Sequence, residues 1–324
     1  MRSISIAAGA LAVALLVGCP AGGPEDKAPA TDQPGAPGGL QNGSFTANLN
    51  GFAIHYEVHG QGPVLMAVTN SWGFTAEGLR ALLRPLEERL TLVYFDPRGM
   101  GGSGPVREEA DMGLAAVRAD FDALRRHLGL EQVNAIGWSN GAMNLVLLAA
   151  EQPETIRSAI FVHGAASYTA EDMAAFARQY PELMQAYQAF MEEMQDPALS
   201  DDQRSARMKA LWLEKWFPMA CADQEKGPAM LQKVFGGLSF SWPHADYSNR
   251  ESPSFDARDR LPAITARCLV IAGTHDTMPV AKSEELHQGL AQSTLMVFEA
   301  SGHFSPQEEP EAFKTAVFEF LGVG

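Results

Sequence analysis

Short apolar runs alternate with segments of helical periodicity along most of the chain. Runs with the length of buried strands occupy residues 64–68, 90–95, 133–136, 156–162, 268–273 and 294–298. Between two of them, apolar side chains recur from Leu114 to Leu128 at helical spacing. Two further runs meet across Asn50-Gly51, which predicts a β-hairpin. Buried strands that alternate with helices predict an α/β fold, in which helices cover both faces of a mostly parallel sheet.

The alternation stops between residues 165 and 260, where helical patterns dominate. Thr169 and Ser200 each begin a capping-box pattern. Half of the chain's 14 methionines lie in this region, together with Trp212, Trp216 and Trp242. We predict a helical insertion whose apolar residues form its own core and can also line a pocket. The predicted domains are a core at residues 45–164 and 261–324 and a helical cap at residues 165–260.

The first 44 residues differ in composition from the rest. An apolar run at residues 4–17 follows Met1-Arg2 and is shorter than the roughly 20 residues that span a bilayer. We therefore predict a signal peptide at residues 1–18. Residues 19–44 are rich in proline and glycine without apolar periodicity, which is typical of a flexible tether.

The segment Leu16-Val17-Gly18-Cys19 resembles the bacterial lipobox. The resemblance implies that Cys19 is lipidated and that the protein is anchored to a membrane of the cell envelope. Pro20 is not the aspartate that often retains lipoproteins in the inner membrane, which favours the outer membrane in a Gram-negative source. The alternative is an ordinary cleaved signal, which would give a secreted or periplasmic protein.

The composition excludes some partners and cofactors. A net charge of −15 opposes nucleic-acid binding, because phosphate carries the same sign. The three cysteines form no C-x-x-C pair or Cys/His cluster with zinc spacing, so we predict no metal and no cofactor. A Cys221–Cys268 disulfide has no local support, and Cys268 is expected to be a buried thiol.

Ser139 is the centre of the most informative motif, Gly137-Trp138-Ser139-Asn140-Gly141. The motif lies between an apolar run and a helix-like segment, which predicts the order strand, sharp turn, helix. A serine at such a turn presents its hydroxyl at the end of a parallel strand, and the flanking glycines allow the turn to be tight.

Two later strands are each followed by a residue that can complete a catalytic set. Asp276 follows the run at residues 268–273, and His303 follows the run at residues 294–298. The order serine, aspartate, histidine resembles the α/β-hydrolase family. The segments at 96–103 and 310–321 are also similar to that family's loop after the fourth strand and its last helix. The resemblance covers residues 45–324 and implies the family's fold and activity.

The resemblance implies a role for each residue of the set. Ser139 would be the nucleophile, His303 the base that takes its proton, and Asp276 the acid that orients the imidazole. His163 is a rival histidine by type, and Glu299 a rival acid at a strand end. The positions of Asp276 and His303 match the family better.

An oxyanion in this family requires two N–H donors. The backbone N–H of Asn140 would supply one, at the start of the helix after the nucleophile. By alignment with the loop after residues 64–68, Trp72 would supply the other. The chain departs from the family's usual His-Gly there, so Ser71 and Asn70 are alternatives. We expect Trp138, His163, Trp212 and Trp216 to line the substrate pocket.

The predicted activity is hydrolysis of a carboxylic ester, a lactone or a related small-molecule acyl substrate. A proline-iminopeptidase-like aminopeptidase is an alternative, in which Glu192, Glu193 or Glu214 of the cap would hold the substrate amine. A third reading is a catalytically inactive hydrolase fold that serves as a binding lipoprotein. The presence of all three catalytic residue types argues against it.

Overall fold

The structure is a computed structural model that describes residues 39–251 and 254–324. The predicted signal peptide, Cys19 and most of the predicted tether lie outside the described residues. Among the residues described, no helix has both the length and the apolar character needed to cross a membrane.

Eight strands form one sheet, and two short strands form a separate antiparallel pair. The strands are β1 (Gly43–Leu49), β2 (Phe52–Gly60), β3 (Val64–Val68), β4 (Thr91–Phe95), β5 (Val133–Trp138), β6 (Ile156–Val162), β7 (Ser167–Tyr168), β8 (Phe255–Asp256), β9 (Arg267–Gly273) and β10 (Ser293–Phe298). The order in the large sheet is β1-β2-β4-β3-β5-β6-β9-β10. Among the described residues, the only antiparallel pairs of this large sheet are β1–β2 and β2–β4, so the predicted mostly parallel sheet is confirmed.

Helices connect the strands and fill the insertion. They are α1 (Ala76–Leu83), α2 (Leu114–His127), α3 (Asn140–Glu151), α4 (Ala170–Gln179), α5 (Pro181–Glu193), α6 (Asp201–Leu211), α7 (Phe217–Met219), α8 (Gly227–Phe235), α9 (Trp242–Glu251), α10 (Val280–Gly289), α11 (Ser305–Glu308) and α12 (Pro310–Leu321). Short 3-10 turns occupy Arg84–Glu88, Glu109–Met112 and Arg258–Ala263, and a π-helical turn at Trp212–Trp216 joins α6 to α7.

The sheet separates two apolar cores, because successive side chains of a strand point to opposite faces. In β3, Leu65 and Ala67 belong to one core, while Met66 and Val68 belong to the other. The core that contains Leu65 continues into the insertion. The core that contains Met66 lies under α2, α3 and α10. Both faces are therefore buried, as a parallel sheet requires.

The region predicted as the cap contains α4 to α9. Thr169 and Ser200 cap α4 and α6 with complete capping boxes, as the sequence predicts. Met194 and Met208 of this region are buried in the same core as the sheet residues. The insertion therefore shares one apolar core with one face of the sheet.

Cys221 in the insertion and Cys268 in β9 are free, buried thiols, so the structure contains no disulfide between them. Burial raises the pKa of each thiol to about 12. Neither thiol is therefore ionised near neutral pH, and neither is a candidate nucleophile.

Candidate active site

Ser139 lies at the turn between β5 and α3, as its motif predicts. Its backbone has φ 55° and ψ −122°, a left-handed conformation that is rare for any residue with a Cβ atom. The turn is fixed at both ends, since the N–H of Ser139 donates to the carbonyl of Val162 (2.8 Å) and its own carbonyl accepts from Ala142 (2.9 Å). Such strain persists only where the surrounding structure enforces it, and it is typical of functional turns.

The two glycines of the motif permit this turn. A Cβ atom on Gly137 would lie 2.4 Å from the carbonyl oxygen of Gly141. A Cβ atom on Gly141 would lie 2.6 Å from the carbonyl oxygen of Val68. Both distances are far below van der Waals contact, so any larger residue would push α3 away from the strands and displace Ser139.

His303 and Asp276 form a hydrogen-bonded pair in the site. The Nδ1 atom of His303 lies 2.7 Å from Oδ2 of Asp276. The rival acid, Glu299, is exposed and directly follows β10. The Nε2 atom of His303 makes no hydrogen bond with the described residues and remains available to accept a proton.

The backbone of His303 is held on both sides. Its N–H donates to the carbonyl of Ala220 in the insertion (2.6 Å), and its carbonyl accepts from the indole Nε1–H of Trp138 (2.9 Å). The ring of Trp138 also lies 5.0 Å from the imidazole, between centroids. Because Trp138 directly precedes Ser139, these contacts hold His303 against the end of the strand that carries the serine.

Asp276 is buried but ionised. Burial alone would raise the pKa of its carboxyl, but His303 and His163 beside it hold the pKa well below its usual range. Its Oδ1 atom accepts the backbone N–H of Met278 at 2.9 Å. The carboxylate therefore has partners on both oxygens, which fixes its orientation.

His163, a predicted pocket residue, contacts the acid of the site instead. Its Nδ1 atom lies 3.0 Å from Oδ2 of Asp276, and its side chain is fully buried. The ring N–H does not point straight at that oxygen, so the contact is a close electrostatic one rather than a linear hydrogen bond. The Nε2 atom lies 2.8 Å from Oγ of Ser305.

The predicted oxyanion loop is tied to the helix after the nucleophile. The side chain of Asn140 accepts the backbone N–H of Ser71 (2.9 Å) and its hydroxyl (2.8 Å). The Asn140 backbone N–H, at the first turn of α3, is free of intrahelical partners and benefits from the helix dipole. The N–H of Trp72, in contrast, donates to Oδ1 of Asn70 at 2.7 Å. That donor is thus occupied in this structure, and its oxyanion role stays a prediction.

Glu308 holds the loop around the catalytic histidine, a role that sequence reasoning missed. Its carboxylate accepts the backbone N–H groups of Gly302 (2.8 Å) and Phe304 (3.2 Å), and also that of Ala222 in the insertion (2.6 Å). Burial raises its pKa, although the three N–H groups act in the opposite direction. The only signal in the sequence was an acidic residue shortly after His303.

The other predicted pocket residues differ in their surroundings. Trp138 and Trp212 are buried, and the ring of Trp212 stacks on Phe74 with centroids 5.8 Å apart. These side chains leave little surface for a substrate. Trp216 is only partly buried and stacks on Phe176 of α4 at 5.3 Å. Trp216 is therefore the one of the four with surface to offer to a ligand.

The ligand atoms of His163, Asp276 and His303 lie within 4.8 Å of one another, the only such group of three or more in the described part of the chain. However, the Nδ1 atoms of His303 and His163 already face Oδ2 of Asp276, at 2.7 and 3.0 Å respectively. We assign these atoms to proton transfer rather than to a metal, and the predicted independence from metal stays a prediction.

Comparison with known proteins agrees with this fold. A proline iminopeptidase of Clostridioides difficile is 24% identical over 293 residues, which cover 84% of this chain and 96% of that protein. A solved alpha/beta fold family hydrolase from Bacillus anthracis superposes with a TM-score of 0.71 at 19% identity, over 86% of this chain and 99% of that one. An enol-lactonase from Burkholderia xenovorans superposes with a TM-score of 0.63 at 23% identity, over 86% and 99%.

The model of the alpha/beta hydrolase fold family matches residues 65–310, which include the strained serine turn, the Asp276–His303 pair and the whole insertion. The chain therefore belongs to the alpha/beta hydrolase fold family and is a hydrolase.

Proposed function

We propose that this hydrolase cleaves a carboxylic ester, a lactone or a related acyl compound through an acyl-enzyme on Ser139. One observation carries the proposal. The strained turn of Ser139 is joined, through Trp138, to a histidine whose Nδ1 lies 2.7 Å from a buried, ionised aspartate. A hydroxyl, a base and an orienting acid are the three parts that nucleophilic acyl transfer requires.

In this mechanism the Oγ atom of Ser139 attacks the carbonyl carbon while Nε2 of His303 takes the hydroxyl proton. Asp276 holds Nδ1–H and stabilises the imidazolium that forms. The tetrahedral intermediate collapses, and the alcohol leaves with the proton from His303. Water then attacks the acyl-enzyme with the same base, and the carboxylic acid is released.

The oxyanion of the intermediate would be stabilised by the N–H of Asn140 at the positive end of α3. A second donor would come from the loop at residues 70–72. In this proposal the hydrogen bond from the Trp72 N–H to Oδ1 of Asn70 breaks when substrate binds, and the N–H then donates to the oxyanion. The bonds from Ser71 to Asn140 support the proposal because they keep this loop beside the nucleophile.

The aminopeptidase alternative is supported by the proline iminopeptidase relative. It requires a carboxylate in the insertion that can hold the substrate amine. Glu192, Glu193 and Glu214 are all exposed, and Glu193 is paired with Arg207. These surroundings favour the ester or lactone reading over the peptidase reading. A binding protein without activity is disfavoured by the ordered Asp276–His303 pair.

A substrate panel tests the proposal. We expect the purified protein to hydrolyse short-chain p-nitrophenyl esters or simple lactones faster than prolyl and alanyl p-nitroanilides. Ser139→Ala is the matched control and should lose all enzymatic turnover. Faster cleavage of the aminoacyl anilides would favour the peptidase reading, and activity that survives in Ser139→Ala would contradict the mechanism itself.

We also propose that Cys19 carries a lipid anchor and that the hydrolase is held at a membrane of the cell envelope. The proposal is supported by the short apolar run that ends in Leu16-Val17-Gly18-Cys19. Each buried CH₂ of an acyl chain contributes about 0.8 kcal/mol, so several chains on one cysteine would give a stable anchor.

A further inference from the structure

His163 has an unusual backbone at the same edge of the sheet as the nucleophile. In the described part of the chain, the non-glycine residues with positive φ are Asn50, Ser139 and His163. Asn50 lies in the hairpin turn, where this conformation is ordinary. Ser139 and His163 directly follow the neighbouring parallel strands β5 and β6. His163 is held at φ 51°, a conformation that persists only where the surrounding structure enforces it.

The left-handed backbone is locked by β9 and directs the side chain toward the catalytic acid. The N–H of His163 donates to the carbonyl of Ile271 at 2.8 Å. The imidazole then lies between Oδ2 of Asp276 at 3.0 Å and Oγ of Ser305 at 2.8 Å. It is therefore a fully buried ring whose two nitrogens both face polar atoms.

These contacts determine where the proton of the ring lies. A bare Nδ1 lone pair would face a carboxylate oxygen at 3.0 Å, which is repulsive, so Nδ1 carries the proton. The hydroxyl of Ser305 then donates to Nε2. Burial lowers the pKa of His163 more than Asp276 raises it, so the ring is neutral near pH 7. A neutral ring with its N–H near Asp276 reduces the effective charge of the carboxylate without adding a charge of its own.

We propose that His163 is a positioning residue of the hydrolase, which shares Oδ2 of Asp276 with His303 and moderates how strongly the carboxylate holds the protonated base. The proposal rests on the proposed Ser139 mechanism. In this role His163 keeps the carboxylate from rotating away from His303. It also prevents an isolated buried carboxylate from stabilising the imidazolium so strongly that the base stays protonated.

The titratable groups around this pair come from several elements. Asp276 and His303 act directly on His163. Tyr180 and Cys221 of the insertion and Glu308 of α11 are close enough to feel the charge of Asp276. The raised pKa of each of these three groups is due first to burial, and neither the phenol nor the thiol is charged near neutral pH. The imidazoles of His163 and His303 are the two side chains of this set that directly contact the carboxylate of Asp276, at 3.0 and 2.7 Å.

The test compares two substitutions that differ in whether a donor remains. Asparagine tolerates the left-handed backbone, and its amide N–H can replace the Nδ1–H. Leucine fills the space but donates nothing. We expect His163→Leu to lower kcat on an ester substrate by roughly tenfold to hundredfold with little change in KM. The acidic limb of its pH profile for kcat/KM should move to higher pH. His163→Asn should keep most of the wild-type kcat, and the acidic limb of its pH profile should stay at the wild-type position.

A purely structural role predicts an unshifted pH profile in both variants, because backbone strain and lost packing at His163 lower stability without changing the charge beside Asp276. His163→Leu with an unshifted pH profile, or His163→Asn slower than His163→Leu, would overturn the proposal. Ser305→Ala is a smaller change that keeps the proposal testable if His163→Leu does not fold. It should move the acidic limb in the same direction, and an unmoved limb in this variant would also overturn the proposal.

Two controls separate this inference from the proposed function. His287 forms a similar pair with Ser293 (2.6 Å) at the other end of the sheet, so His287→Asn should leave the pH profile unchanged. Loss of all turnover in Ser139→Ala verifies the mechanism on which the inference rests. If Ser139→Ala is inactive while His163→Leu has the wild-type rate and profile, the inference fails and the proposed function stands.

Discussion

Arg98 offers the clearest stability prediction, because it lies at the centre of a buried ion network in the loop after β4. Its guanidinium makes two parallel bonds to Asp120 of α2 (2.7 and 2.8 Å) and one to Asp111 (2.8 Å). It also lies 4.1 Å above the ring centroid of Phe52 in β2. Arg98, Asp111 and Asp120 all have side chains that are at most 10% exposed. One residue thus joins the hairpin, the loop and α2.

We predict that Arg98→Met destabilises the fold by about 3–5 kcal/mol, because the two carboxylates lose their partner while they remain buried. For a domain of this size the melting temperature should fall by roughly 10 °C. The loss should be smaller in an Asp111→Asn, Asp120→Asn background, where no uncompensated charge is left behind. Thermal unfolding followed by circular dichroism measures both effects.

The effect should also depend on pH. Burial raises the pKa of the Asp111 carboxyl. The backbone N–H groups of Arg107 and Glu108, together with Arg98, lower this pKa by a larger amount, so it lies below the usual value. A carboxyl whose pKa is lower in the folded than in the unfolded protein stabilises the fold at any pH above its unfolded-state pKa. This stabilisation is lost as the pH falls through the folded-state pKa. The difference between wild type and Arg98→Met should therefore narrow as the pH falls below about 4.

Arg250 provides the matched control, since its side chain is half exposed and pairs with Glu109 on the surface. Exposed ion pairs contribute little to stability. If Arg98→Met lowered the melting temperature no more than Arg250→Met, the buried network would not stabilise the fold and the reasoning would be wrong.

Three further predictions concern the site and the anchor. Asp276→Asn should reduce kcat on an ester by about 10⁴-fold, whereas Glu299→Gln should leave kcat unchanged. The reverse result would show that Asp276 is not the acid of the site. Trp138→Phe removes the indole donor to the carbonyl of His303, so kcat should fall by roughly tenfold with the protein still folded; an unaffected kcat would show that the bond does not position the base. Cys19→Ala should move the protein from the membrane fraction to the soluble fraction after cell lysis, and identical partition of both forms would refute the lipid anchor.

Much of the fold could be predicted because its signals are local. The strands at residues 64–68 and 156–162 were predicted with the bounds that the structure shows. Residues 64–68 are all apolar, and the strand at residues 156–162 ends in the apolar run 159–162. Each strand lies between two other strands of the sheet, where both of its faces are covered. The turn at Ser139 was predictable for the same reason, since the two glycines and the change from strand to helix lie within one short segment.

The roles of several site residues could not be predicted, because they depend on contacts between distant segments. Trp138 and His163 were expected to line the substrate pocket, His163 because the resemblance to the family places it on the cap side of the core. Their partners are His303 and Asp276, which lie more than 100 residues away in the sequence. Helical periodicity likewise places Trp212 on an apolar face but does not distinguish a core from a pocket.

The oxyanion loop shows a local limit of a different kind. The side chain of Asn70 accepts the N–H of Trp72 in an Asx-type turn, which occupies the donor that the alignment assigns. An asparagine two residues before the donor was visible in the sequence. The sequence does not show whether its side chain turns back to the backbone or toward the substrate.

The central claim, that Ser139 is the nucleophile of an acyl-transfer site, is tested most directly by covalent labelling. A fluorophosphonate probe should react with the folded protein, and mass spectrometry of the digested adduct should place the label on the peptide that contains Ser139. The label should be absent from Ser139→Ala and greatly slowed in His303→Ala, because the hydroxyl requires its base. Equal labelling of wild type and Ser139→Ala, or no labelling of a protein that hydrolyses esters, would contradict the account.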